Sequence, residues 1–195
     1  MDTNKQLEES IRKEIRDWSK HSLEKANENY NGFPACPYAA KAWIDNKVDI
    51  QFKYDLSPEK LYENISHYND KYELIILVDL EYELEPDRFH GYLEGINEAI
   101  SNDAFHDKDI YVMGFHPEDD TNEIIESDSF ETEVDDVYSM IFIQRLSLLE
   151  RASEKLRSKG YYDRTYGNYK VDEILQKRNK LFRRLVWQKE QRKRA

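Results

Sequence analysis

The sequence predicts an α/β fold: a small parallel sheet of about three to four strands, flanked by helices, with helical extensions at both ends. Three observations carry that expectation. Strand-like apolar runs fall at 48–54, 72–80 and 109–115; helical patterns lie between them at 58–68 and 86–100; and the connections are short. A strand–helix–strand–helix–strand order with such connections predicts strands running in one direction through right-handed crossovers.

Taken in order, Leu7, Ile11, Ile15, Trp18, Leu23 and Ala26 recur at helical spacing and predict a helix over 3–28. Asn, Gly and Pro between Asn29 and Pro34 end it. Cys36-Pro37 opens a second helix to about Asp45, with proline in the favoured first turn. Val48, Ile50, Phe52 and Tyr54 alternate with polar residues, the period of a half-buried strand. Ser57-Pro58 caps and starts the next helix. The run YELIILVDL at 72–80 has the continuous apolar character of a central strand. Phe89, Leu93, Ile96 and Ile100 form the stripe of the helix over 86–100, and DIYVMGF at 109–115 is the third strand. Residues 118–136 carry ten acids and no base, the composition of a solvated loop. A long apolar helix is expected over 137–159, then a Tyr/Gly connector and a final amphipathic helix from Val171. The organisation expected is an α/β domain over 1–160, with 161–195 as connector and basic helical tail.

With 195 residues, 39% of them hydrophobic, the chain holds enough for one core. No apolar run approaches the roughly 20 residues needed to cross a bilayer, and the first residues lack a signal-peptide core, so the cytoplasm is the expected location and no membrane partner is expected. One cysteine excludes a disulfide framework within the chain and a multi-cysteine zinc site. Charge is uneven: Lys177–Ala195 has nine bases and one acid, whereas the remainder has 20 bases and 39 acids. An acidic body of that kind repels phosphates, so nucleic acid is an unfavoured partner. Six glycines without a Gly-x-Gly-x-x-Gly pattern disfavour a nucleotide cofactor.

The residues able to carry chemistry are few. Cys36, at an expected helix start, is where unpaired N–H groups and the helix dipole favour thiolate; the plainer reading is a small buried side chain. Cys36-Pro37-Tyr38-Ala39 looks like the active-site turn of glutaredoxins, with Ala39 in place of the second cysteine. His116 follows the third strand, where α/β sheets collect ligand sites; it suits acid–base work or metal ligation, or else binds a loop carbonyl. One metal ion held by Cys36 and His116 stays open. Asp79 ends the second strand and would share an edge with His116, placed to bind a substrate amine or to cap a turn. Arg145, the one base in MIFIQRLSLL, suits an anionic substrate or a structural acid.

Cys36-Pro37-Tyr38-Ala39, Phe115-His116-Pro117 and Tyr138-x-Met140 ahead of Arg145, in that order, resemble a family of small bacterial proteins of unknown function. In that family Cys-Pro-Phe-Ala, Phe-His-Pro and Tyr-Pro-Met…Leu-Arg recur. The resemblance covers roughly residues 10–155 and adds Tyr138 to the substrate-binding candidates. Ser139 stands where the family has proline, and Phe142 where it has histidine. It implies no activity.

Two functions from different classes follow. One is an enzyme acting on a small polar or anionic metabolite, with Cys36 and His116 catalytic and Arg145, Asp79 and Tyr138 holding substrate. The other is a non-catalytic interaction protein. For it, the apolar stripe of residues 171–193 would dock on its own body, a second copy or a partner protein.

Overall fold

The computed structural model describes residues 3–119, 138–163 and 171–194. Residues 120–136 of the expected acidic loop, residue 137 at the start of the helix expected after it, and most of the Tyr/Gly connector lie outside the described residues. Four strands make one sheet: β1 (Val48–Lys53), β2 (Leu74–Asp79), β3 (Tyr111–Phe115) and β4 (Ser139–Gln144), in the order β1-β2-β4-β3. β1 and β2 pair in parallel, while β4 runs antiparallel to both β2 and β3. The three expected strands therefore do share one direction, but only β1 and β2 are neighbours.

The inserted strand is a correction. Ser139–Gln144 was expected to open a long helix, and helix begins only at α5 (Leu146–Arg157). A short apolar run buried on both faces has no periodicity that separates strand from helix. Here Ile141, Phe142 and Ile143, β-branched or aromatic, fill the gap between β2 and β3 with paired backbone.

Helices cover both faces. On one, α3 (Glu59–His67) and α4 (Pro86–Ser101) bring Leu61, Ile65, Phe89, Leu93, Ile96 and Ile100 onto Ile75, Leu77, Val112, Ile141 and Ile143. Gly114 lets α4 approach: a Cβ there would lie 2.3 Å from a Phe89 ring carbon and 2.6 Å from Leu93. Asn97 of α4 pins the edge strand, donating to Val112 O at 2.8 Å and accepting from Val112 N–H at 2.9 Å. On the other face, Ile11 and Ile15 of α1 (Thr3–Trp18) and Trp43 of α2 (Ala39–Ile44) pack on Ile50, Ile76, Val78 and Met140. The first helix is shorter than its stripe predicts: a π-helical turn, Ser19–Leu23, breaks the α register.

The last helix, α6 (Val171–Arg194), folds back onto the body. Leu181 and Leu185 are buried with Leu146, and Tyr111 and Phe182 pack against them. Among the described residues no helix is long and apolar enough to cross a membrane.

Candidate functional site

The pairing register aligns Lys53 of β1 with Asp79 of β2, and Asp79 with Ser139 of β4. Continuing the β3–β4 register by one residue sets His116 opposite Ser139. Side chains of cross-strand partners point to one side, so a row of polar residues crosses the carboxyl edge of β1, β2 and β3 on the face covered by α3 and α4. All four are buried, Ser139 and His116 almost completely.

Within this row Lys53 Nζ donates to both Asp79 carboxylate oxygens, at 2.8 and 3.0 Å. Asp79 Oδ1 also accepts from the Glu81 N–H at 3.2 Å. Among the described residues the Ser139 hydroxyl has no hydrogen-bond partner. Lys53 and Asp79 form the floor of a cavity of about 290 Å³, with Leu61, Phe89, Tyr92 and Ile141 among its apolar walls and the β2–α4 loop, through Tyr82 and Leu84, on one side. Burial pushes the Tyr82 and Tyr92 phenols up from their ordinary value, Tyr92 also through its neighbour Tyr62.

His116 supports that loop from behind. Its Nε2 lies 2.9 Å from Leu84 O, and the Glu118 N–H points at Nδ1 from 3.2 Å. A carbonyl can only accept and an N–H only donate, so Nε2 carries the hydrogen and Nδ1 is the acceptor. The imidazole meets Tyr82 edge-on at 5.0 Å and Phe89 at 5.6 Å between ring centres. Asp119 accepts from the His116 backbone N–H and contacts His90 Nε2. The expected shared edge of Asp79 and His116 is present; the histidine's contact with a loop carbonyl is the plainer of the two expected roles.

The other candidates lie elsewhere. Cys36 belongs to the layer of α1 and α2, its N–H bonded to Leu23 O at 2.9 Å, three residues ahead of α2. Burial pushes its thiol up; the N–H groups of Tyr38 and Ala39 pull the other way and do not prevail. The lowered thiol expected at a helix start is thus corrected: desolvation outweighs a six-residue helix. Arg145 sits at the opposite edge of the sheet, beside Gln144, and its guanidinium pairs with Asp70. Tyr138 turns to the α1 face and donates to Glu14 at 3.2 Å; burial, and then Glu14, push its phenol up. Phe142 stacks on Trp18 of α1. Cys36, His116, Arg145 and Tyr138 are absent from the cavity's lining, and so from any common wall with Asp79 there. Among the described residues no group of three or more His, Cys, Asp or Glu side chains is placed to hold a metal ion.

Sequence reading found Asp79 and missed Lys53. The available signal was that both end their strands: two parallel strands in register bring a terminal Lys and a terminal Asp together. Lys53 was hidden because it alternates with Phe52 and reads as a solvated face, which α3 covers. No protein-family model, curated protein or solved structure matches this chain.

Proposed function

We propose that this protein binds, and acts on, a small polar metabolite in the cavity at the carboxyl edge of β1 and β2. The observation that supports it is the Lys53–Asp79 pair in the cavity floor. Taking two charges out of water costs several kcal/mol per ion, and a buried pair rarely stabilises more than apolar residues of the same volume. A fold gains little from such a pair, whereas a ligand gains a charged donor and a charged acceptor inside apolar walls, the common make-up of small-molecule sites. The place also fits, since open α/β sheets bind ligands beyond the carboxyl ends of parallel strands. In this reading Lys53 and Asp79 contact the bound molecule and are the groups able to move a proton or hold developing charge, and His116 is a positioning residue for the loop wall.

The alternative, docking of a partner protein through the basic tail, rests on Ile174, Val186 and Trp187, which stay exposed on α6. Its inner face is already used by Leu146 and Tyr111, so the cavity reading comes first.

A thermal-shift screen of a metabolite library against the protein and its Lys53→Met/Asp79→Leu double variant tests the proposal. Both charges leave together, so the variant should fold with equal or higher stability. Compounds should raise the melting temperature of the parent alone, by the linkage of binding to folding. A library that shifts neither protein, or both equally, defeats it.

A further inference from the structure

Resting on that reading, we infer that the ligand is a zwitterion with a compact apolar body, an α-amino acid of the leucine type. The floor presents opposite charges side by side, and hydrogen-bond counting shows what each has left. An ammonium has about three donors; Lys53 gives two to Asp79 and, among the described residues, shows no further partner. An ionised carboxylate has about four acceptor sites; Asp79 uses two for Lys53 and one for the Glu81 N–H. One charged donor and one charged acceptor site remain, next to each other.

A ligand ammonium would take the spare acceptor site of Asp79, while the ligand carboxylate meets the spare hydrogen of Lys53.

Charge then discriminates. Besides the Lys53–Asp79 pair, the ionisable carboxylates of the lining are Glu81 and Glu83, with no second base. An anion would meet those carboxylates and Asp79 with only an already paired Lys53 to receive it. A simple amine would leave the Lys53 donor unused. A zwitterion uses both and adds no net charge to the buried floor. Size agrees: about 290 Å³ lies at the small end of ligand cavities, which run from roughly 300 Å³ upward. The walls of Leu61, Phe89, Tyr92 and Ile141 suit a branched or thioether side chain.

The experiment is isothermal titration of the full chain with leucine, isoamylamine and isocaproate, which share one apolar tail and differ in the head group. Leucine should bind at least about tenfold tighter than either of the others. Lys53→Met/Asp79→Leu should abolish that binding. Equal binding of the amine or the acid, or full leucine affinity in the double variant, overturns the inference. If leucine, valine and methionine all fail while a library compound still shifts the parent alone, the amino-acid assignment falls and the cavity stands. If nothing shifts the parent, both fall.

Discussion

A thiol three residues ahead of a short helix feels two opposing effects, and at Cys36 burial wins over the local N–H groups. The consequence is measurable. Alkylation by iodoacetamide should be slow at neutral pH, with its midpoint displaced above that of free cysteine, and should reach the full rate only on denaturation. A midpoint below the free value would mean a stabilised thiolate and would return Cys36 to the catalytic candidates. The same competition explains how much of the site was legible in the sequence. Asp79 and His116 were readable because a strand end fixes an edge. Which way a side chain then turns depends on what is packed around it: His116 towards Leu84 O, Tyr138 towards Glu14, Arg145 to Asp70. Those partners are 32 to 124 residues away in the chain, beyond the reach of local pattern.

Elements legible in the sequence were those with a period and a stop: α3 behind Ser57-Pro58, α4 behind Pro86, and the alternation of β1. β4 was not, since its place is set by the space between β2 and β3, a property of the assembled sheet. The final helix was readable as amphipathic, and its burial against α4 and α5 follows from that stripe. Leu181 and Leu185 each contribute about 1.5–3 kcal/mol by burial. The Arg178–Glu150 pair beneath them, 2.6 Å apart and buried, is joined by Asn179. Farther out, Arg192 pairs with Asp103 and holds its carboxyl below the usual range. Half-exposed pairs of this kind add little. Deleting residues 171–195 should therefore lower the melting temperature by on the order of 10 °C, and the loss should persist at high salt, where screening removes only the ion pairs. A truncated protein that melts with the parent would show that the contact contributes nothing to the fold.

At the scale of the whole molecule, the apolar layers on both faces of the sheet set how the protein answers to alkali. The chain has 14 tyrosines. Among the described residues burial is the first cause raising Tyr68, Tyr82, Tyr92, Tyr111 and Tyr138, and Tyr68 is pushed up to about 12. A phenol whose folded pKa lies above its unfolded value keeps its proton in the native state while the unfolded chain has lost it. Between an ordinary value near 10 and the raised one, the unfolded state binds fewer protons, so stability falls as pH rises. Below that window the five tyrosines add no pH dependence. The net charge of −11 at neutrality works the same way, since each phenolate adds to self-repulsion. The ultraviolet phenolate band should thus grow in two stages: exposed tyrosines first and reversibly, the buried set later and together with loss of helical circular dichroism. If all tyrosines ionise as one class near the ordinary value while the helices persist, the phenols are not packed as described, and the α3–α4 wall that encloses the Lys53–Asp79 cavity would be open to solvent.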